Sequence, residues 1–115
     1  VQTVVLTPTF ERQAAKAGLS DDEVARIVST LADDPLAGDL IQGTGGARKL
    51  RFARQDSGKS GGYRTIHYFG GDDVPIFLLA LIDKRERANL TKAERNELAT
   101  MLPRIAAAYR ERQKS

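Results

Sequence analysis

The chain is expected to fold as an α+β domain in the order β-α-α-β-β-β-α, with a four-stranded, largely antiparallel sheet. Three observations predict this. Four short segments, near 1–6, 48–54, 63–69 and 75–83, are rich in β-branched and aromatic residues or alternate polar with apolar side chains. Residues 8–33 carry apolar side chains at helical spacing with a break at Gly18, and a longer helical pattern opens at Thr91. At 115 residues, with 41% hydrophobic and 29% charged side chains, a single domain spanning 1–115 is the expectation.

The elements follow in order. Val1 to Leu6 is β-branched and reads as a strand. Thr7-Pro8-Thr9 offers a cap hydroxyl and a first-turn proline, and Phe10, Ala14 and Ala17 follow at helical spacing. Ser20-Asp21-Asp22-Glu23 is a capping box that opens a second helix. Val24, Ile27, Val28 and Leu31 form its apolar face, and Asp33-Asp34-Pro35 ends it. The two helices should form a hairpin over one sheet face, leaving all or part of the other face free to be concave and basic.

Gly38 to Gly46 is glycine-rich and turn-like. Leu50 and Phe52 alternate with Lys49 and Arg51, so 48–54 reads as a half-buried strand. A polar connection over 56–62 leads to the strand Tyr63–Phe69, a turn at Gly70-Gly71-Asp72-Asp73, and a last strand from Pro75 to Asp83. The last strand is apolar on both faces, which suits a central position. Thr91 with Glu94 can cap the final helix, whose Leu98, Met101, Leu102, Ile105 and Tyr109 are expected to point inward. Pro103 predicts a kink or break near Met101–Leu102.

Several function classes are excluded early. The chain has no cysteine, so neither a disulfide framework nor a thiolate metal site is available. A single histidine, His67, rules out a multi-histidine centre. The apolar run Ile76–Ile82 is far too short to span a bilayer. No basic leader with an apolar core precedes the first strand, so a cytoplasmic protein without a membrane partner is expected.

Charge is unevenly placed. Residues 1–46 carry three basic and seven acidic side chains, whereas 47–115 carry fifteen basic and eight acidic. Within 47–64, Arg48, Lys49, Arg51, Arg54, Lys59 and Arg64 stand against Asp56 alone. Such asymmetry points to a polyanionic partner. Strand alternation sorts these cations: Lys49 and Arg51 share a face opposite Leu50 and Phe52. Arg64, Ile66 and Tyr68 share a face opposite Tyr63, Thr65, His67 and Phe69. Pairing of the two strands would bring Lys49, Arg51 and Arg64 together, with Lys84-Arg85-Glu86-Arg87 at the edge. Guanidinium and ammonium groups so placed bind phosphate and stabilise developing negative charge. Acidic residues there are too few for a two-metal nuclease, and no metal or other cofactor is expected.

In this order and spacing, the residues resemble the RelE/HigB-like toxins of type II toxin–antitoxin pairs. The likeness is carried by Gly38-Asp39-Leu40-Ile41, Gly43-Thr44-Gly45-Gly46 and Ala47-Arg48-Lys49-Leu50-Arg51-Phe52-Ala53. It continues through Gly58-Lys59-Ser60-Gly61-Gly62-Tyr63-Arg64-Thr65-Ile66-His67-Tyr68, Asp83-Lys84-Arg85-Glu86-Arg87 and Asn89-Leu90-Thr91-Lys92-Ala93-Glu94. The glycine-rich segment before the basic strand points to the HigB-like branch. The resemblance implies a ribosome-dependent, metal-independent endoribonuclease that cuts mRNA in the ribosomal A site. The 2′-hydroxyl would attack the adjacent phosphate, leaving a 2′,3′-cyclic phosphate and a 5′-hydroxyl. It implies Lys49, Arg51, Arg64 and Arg85 as the catalytic set, and an antitoxin of helix-turn-helix type through which alone the toxin would meet DNA.

Roles follow from chemistry. Arg64 suits a two-pronged clamp on the scissile phosphate. Lys49 or Arg51 would take the 2′-hydroxyl proton or stabilise the alkoxide; a lysine serves as base only where neighbouring cations lower its pKa. Arg85 would stabilise the leaving oxygen. Arg48, Arg54, Lys59, Tyr68, Lys84 and Arg87 are the candidate RNA-binding residues. Some relatives carry a tyrosine after the last strand; this chain has none between Asp83 and Thr91, and Tyr68 is the available substitute.

Plainer readings stand beside these. His67, facing away from Arg64, reads as a packed histidine, and Tyr63, Phe69 and Phe77 read as sheet core. Gly43 to Gly46 reads equally as a phosphate cradle or a turn. Arg104, Arg110, Arg112 and Lys114 read as a solvated helix face. The alternative function is a non-catalytic nucleic-acid-binding or autoregulatory subunit of a toxin–antitoxin complex.

Overall fold

The longest strand, β5 (Ile76–Asp83), is buried along nearly its whole length because apolar layers cover both of its faces. In the computed structural model, which describes residues 2–53 and 62–114, β5 lies between β1 (Val4–Leu6), parallel to it, and β4 (Tyr63–Tyr68), antiparallel. β3 (Ala47–Phe52) pairs antiparallel with β4, and β2 (Asp39–Leu40) with β3. The sheet thus has five strands in the order β1-β5-β4-β3-β2. The expected four strands are all present. The fifth was missed because a two-residue strand has no period to read, and Asp39 and Leu40 sit among turn residues.

The helix hairpin lies where the periodicity placed it. Thr7 caps α1 (Pro8–Lys16), its hydroxyl oxygen accepting from the Phe10 N–H. The Ser20/Glu23 capping box opens α2 (Asp21–Asp33). Phe10, Ala14, Ile27 and Leu31 pack on Phe52, Tyr63, Ile76, Leu78 and Leu81, forming the core on one side of the sheet. On that side His67 is fully buried and its Nε2–H donates to the Pro35 carbonyl at 3.0 Å. Burial holds its pKa below the ordinary histidine value, so the ring is a neutral structural tie, as its strand position implied.

The second face is not left open along its length. α3 (Lys92–Lys114) lays Leu102, with Leu98, Ile105 and Tyr109, over Ala47, Ile66, Phe77, Leu79 and Ile82. Its apolar stripe has to be buried, and the apolar half of this face is the surface that matches it. Two expectations about α3 are corrected. The helix runs unbroken through Pro103, and Met101 is 40% exposed rather than inward. Pro103 supplies no N–H to the Ala99 carbonyl, which lies against the loop glycine Gly45, and the packing of Leu102 and Ala106 holds the helix on both sides of the proline. Arg110, expected in a solvated face, instead donates through Nη2 to Asp73 Oδ1 at 3.0 Å and to the Gly70 carbonyl at 2.9 Å, clamping the far end of α3 to the β4–β5 turn. Among the described residues no helix is long and apolar enough to cross a membrane.

The glycine-rich segment is an ordered turn. The buried Thr44 hydroxyl donates to the Ile41 carbonyl at 2.7 Å and accepts from the Ala47 N–H at 3.0 Å. Gly38 has a positive φ, and a Cβ there would fall 2.1 Å from the Lys49 carbonyl oxygen. Only glycine lets this connection press on the backbone of β3 and so fix where Lys49 stands.

The start of α3 is fixed as tightly. Thr91 and Glu94 form a reciprocal box, with the Thr91 N–H donating to Glu94 Oε1 at 2.8 Å and the Glu94 N–H to Thr91 Oγ1 at 3.1 Å. The Arg87 guanidinium donates to both Glu94 oxygens, at 2.6 and 3.0 Å. Arg87 first, and the helix-start hydrogen bonds with it, hold the Glu94 carboxyl down at about 2, against an ordinary value of 4.5. A depressed carboxylate contributes stability above its unfolded pKa and loses it as pH falls through the folded one. The Glu94 side chain is 40% exposed, so solvent screening limits the contribution to about 1 kcal/mol. Glu94→Gln should therefore melt below wild type at neutral pH, and thermal denaturation should show the gap closing between pH 4.5 and 2. A constant gap would place the effect outside the ion pair.

Candidate active site

The antiparallel register of β3 on β4 sets Arg51 directly across from Arg64, and Lys49 across from Ile66. All three basic residues lie on the α3 side of the sheet, at the end that α3 does not cover. Arg64 in turn pairs with Ile82 on β5. The Lys84 N–H donates to the Gly62 carbonyl at 3.2 Å, extending the ladder beyond Ile82. Alternation from Ile82 then puts the Lys84 side chain on the same face as Arg51 and Arg64. Its amine pKa lies below the ordinary lysine value, chiefly because the Arg51 charge is near and also through desolvation and Arg64. Lys49, Arg51, Arg64 and Lys84 thus gather at one place. None of the four has an acidic partner within ion-pair distance among the described residues.

Arg64 is held in position. Its Nη1 donates to Asn89 Oδ1 at 2.9 Å and to the Ala88 carbonyl at 3.1 Å, so the loop between β5 and α3 fixes one side of the guanidinium fork. Among the described residues Nε and Nη2 have no partner, which leaves them available to an incoming oxyanion. A small cavity of about 130 Å³ opens here, with Lys49, Arg64, Ile66, Asn89, Leu90 and Arg95 in its lining. Arg95 reaches it from the first turn of α3, its Nη1 donating to the Leu90 carbonyl at 3.2 Å. The surface is a phosphate-sized recess with guanidinium and ammonium walls and an apolar floor.

The other residues singled out from the sequence are dispersed. Arg48 points to the helix-hairpin side, where Nη1 donates to the Leu36 and Gly38 carbonyls at 3.0 and 3.1 Å and pins the connection before β3. Arg85 forks onto Asp83, with Nε–Oδ1 3.2 Å and Nη2–Oδ2 2.9 Å. Arg87 is taken by Glu94. The chain turns tightly after β5, with the Glu86 and Arg87 N–H groups both donating to the Asp83 carbonyl, so strand alternation stops and only Lys84 of this run joins the cluster. Tyr68 lies four residues along β4 from Arg64, roughly 13 Å away, with its ring against Gly46 and Gly70. Arg54 and Lys59 lie outside the described residues.

Asn89 and Arg95 belong to the site and were not picked out from the sequence, and Lys92 lies in an adjoining cavity with Arg95. One signal was available: Lys92 and Arg95 are basic residues three apart in the first turn of a helix, where the macrodipole disfavours positive charge. Asn89 carried none, since its contact with Arg64 spans twenty-five residues. Among the described residues, no three His, Asp or Glu side chains converge on a possible metal position.

Facing like charges on paired strands is destabilising. Arg51→Thr removes one of two opposed guanidinium groups and restores a β-branched residue. It should raise stability by about 0.5 kcal/mol, read as a melting temperature a few degrees higher, most visibly at low salt. An unchanged or lower melting temperature at low ionic strength would mean that the two guanidinium groups do not repel across the strand pair.

A family model, the RelE toxin of the RelE/RelB toxin–antitoxin system, matches residues 2–114. The match spans both faces of the sheet, the basic cluster and the loop that holds Arg64. With fold and match in agreement, the chain belongs to the RelE toxin family: it is the toxin of a toxin–antitoxin system, and a cognate antitoxin is its implied partner.

Proposed function

We propose that this toxin is a ribosome-dependent endoribonuclease of the HigB-like branch, acting in the cytoplasm and cutting mRNA in the ribosomal A site without a metal ion. The observation that carries the reading is the group of Lys49, Arg51, Arg64 and Lys84, uncompensated by acidic neighbours among the described residues, with Lys49 and Arg64 lining a recess the size of a phosphate. Such a group is poorly suited to stabilising a fold and well suited to a pentavalent, doubly negative phosphorus centre.

In this mechanism Arg64 grips two non-bridging oxygens through the part of its fork that Asn89 leaves free. The 2′-oxygen of the preceding ribose attacks in line. Its bond to phosphorus forms as the bond to the 5′-oxygen breaks, giving a 2′,3′-cyclic phosphate and a 5′-hydroxyl. The 2′-hydroxyl proton needs an acceptor. The Arg51 charge first, with desolvation and Arg64, depresses the pKa of the Lys84 amine, which supports it as base. Lys49 and Arg51 then stabilise charge on the attacking and non-bridging oxygens. Arg85 can meet the leaving oxygen only with its guanidinium released from Asp83. The antitoxin, a separate helix-turn-helix protein in this reading, silences the enzyme and supplies any contact with DNA.

Primer extension on a message translated in vitro tests the whole reading. Wild type should generate new 5′ ends only when ribosomes are present, and Arg64→Ala should reduce them by about 10²-fold or more while retaining its circular dichroism spectrum. Message left intact by wild type would support the binding-only subunit instead. The pH dependence tests the base. A base acts in its neutral form, so cleavage should rise with pH up to the pKa of Lys84. In Arg51→Met the main cause of the depression is gone, and that limb should move to higher pH. A limb that stays in place would remove Lys84 from the role.

A further inference from the structure

Beside the phosphate recess lies a larger open cavity of about 640 Å³, and the two share Ile41, Lys49 and Arg95 in their walls. Lys92 and Asn96 of α3 line its far side, and Leu40, Gln42 and Gly43 its floor. Three properties set it apart from an ordinary surface hollow. Lys92 and Arg95 occupy the first turn of α3, where the helix macrodipole disfavours cations, and no carboxylate of the described residues lies within ion-pair distance of either. The α3 cap is completed by Thr91 and Glu94, so Lys92 has no part in it, and Arg95 spends one N–H on the Leu90 carbonyl. Leu40 is 59% exposed beside the two amide side chains, which make no hydrogen bond within the described residues.

Cations with no counter-ion, next to an uncovered apolar surface and two free amides, match the chemistry of one nucleotide: an anionic phosphate, a flat ring and a hydrogen-bonding edge. We propose that this cavity is a second nucleotide subsite, which holds the residue adjoining the scissile phosphate. Lys92 and Arg95 take its phosphate, its base lies on Leu40 and Ile41, and Asn96 and Gln42 read the base edge. Lys49 stands between the two cavities and so contacts the sugar–phosphate link that joins them. The inference rests on the ribonuclease reading above and adds to it the residues that choose where the message is cut.

The test uses the full chain and a short, fluorescently labelled single-stranded RNA whose 2′-O-methyl groups remove the attacking nucleophile. Anisotropy at several salt concentrations is compared for wild type, Lys92→Ala, the Lys92→Ala/Arg95→Gln double variant, Arg64→Ala and a control, Arg12→Ala on α1. The double variant should bind about tenfold more weakly. Its salt dependence should be shallower by about 0.7 in logarithmic slope, one phosphate contact on a single strand. Lys92→Ala alone should move the same way; its side chain makes no hydrogen bond or ion pair among the described residues whose loss could unfold the loop. In primer extension, Asn96→Ala should redistribute the cuts among codons.

Wild-type affinity and slope in both Lys92 variants, while Arg64→Ala weakens binding, would overturn the subsite and leave the ribonuclease reading intact. Loss of antitoxin binding in those variants with RNA affinity unchanged would overturn it in favour of an acidic protein surface as the occupant. Wild type that fails to bind the RNA yet still cuts on ribosomes overturns the subsite alone. Failure both to bind and to cut overturns both readings.

Discussion

The register of β3 against β4 is the constraint on which the site depends. Because side chains alternate with a period of two, pairing Arg51 with Arg64 commits Lys49, Arg51, Arg64, Ile66 and Tyr68 to one face, and Leu50, Phe52, Tyr63, Thr65 and His67 to the other. A slip by one residue would bury the cations under the helix hairpin and expose the aromatic pair Phe52 and Tyr63, whose rings stack 6.1 Å apart in the core. The register is therefore enforced from behind the site. The apolar side of these strands has nowhere else to go, and Gly38 seats the preceding connection directly on the backbone of Lys49.

α3 divides the second face into a covered apolar half and an open basic half. Its apolar stripe covers the half made of Ala47, Ile66, Phe77 and Leu79, and its first turn stops at the edge of the basic half. Both ends are tied down by arginine–carboxylate forks, Arg87 to Glu94 at the start and Arg110 to Asp73 near the end. The first of these also sets the path of the loop that carries Asn89 to Arg64. Cations that are neutralised within the protein do structural work in this molecule. Lys49, Arg64, Lys92 and Arg95, which have no acidic partner among the described residues, line the recess or the cavity beside it.

Gathering these cations at one surface has a cost in stability. Opposed guanidinium groups, a lysine made less basic by its neighbours, and cations at the positive end of a helix each weaken the free toxin to a small degree. An anion placed among these groups would relieve each of these costs.

Composition and periodicity alone determined much of this molecule: the α+β class, the helix hairpin with both its caps, the four longer strands, and the facing of Lys49, Arg51 and Arg64. These features are local, because a capping box or a period-two alternation is complete within a few residues. They also exposed His67 as a packed residue, since its parity placed it opposite Arg64. Tertiary structure alone decided what lay outside that reach. β2 exists because Asp39 and Leu40 have β3 to pair with, not through any pattern of their own. Pro103 remains within a continuous helix because packing against the sheet outweighs one missing hydrogen bond. In the run from Lys84 to Arg87 the sequence offers three equivalent cations. A tight turn and two nearby carboxylates give Arg85 to Asp83 and Arg87 to Glu94, leaving Lys84 for the site. Asn89 and Arg95 join Arg64 across long stretches of chain, a convergence that residue spacing cannot encode because it depends on where β5 ends and α3 begins.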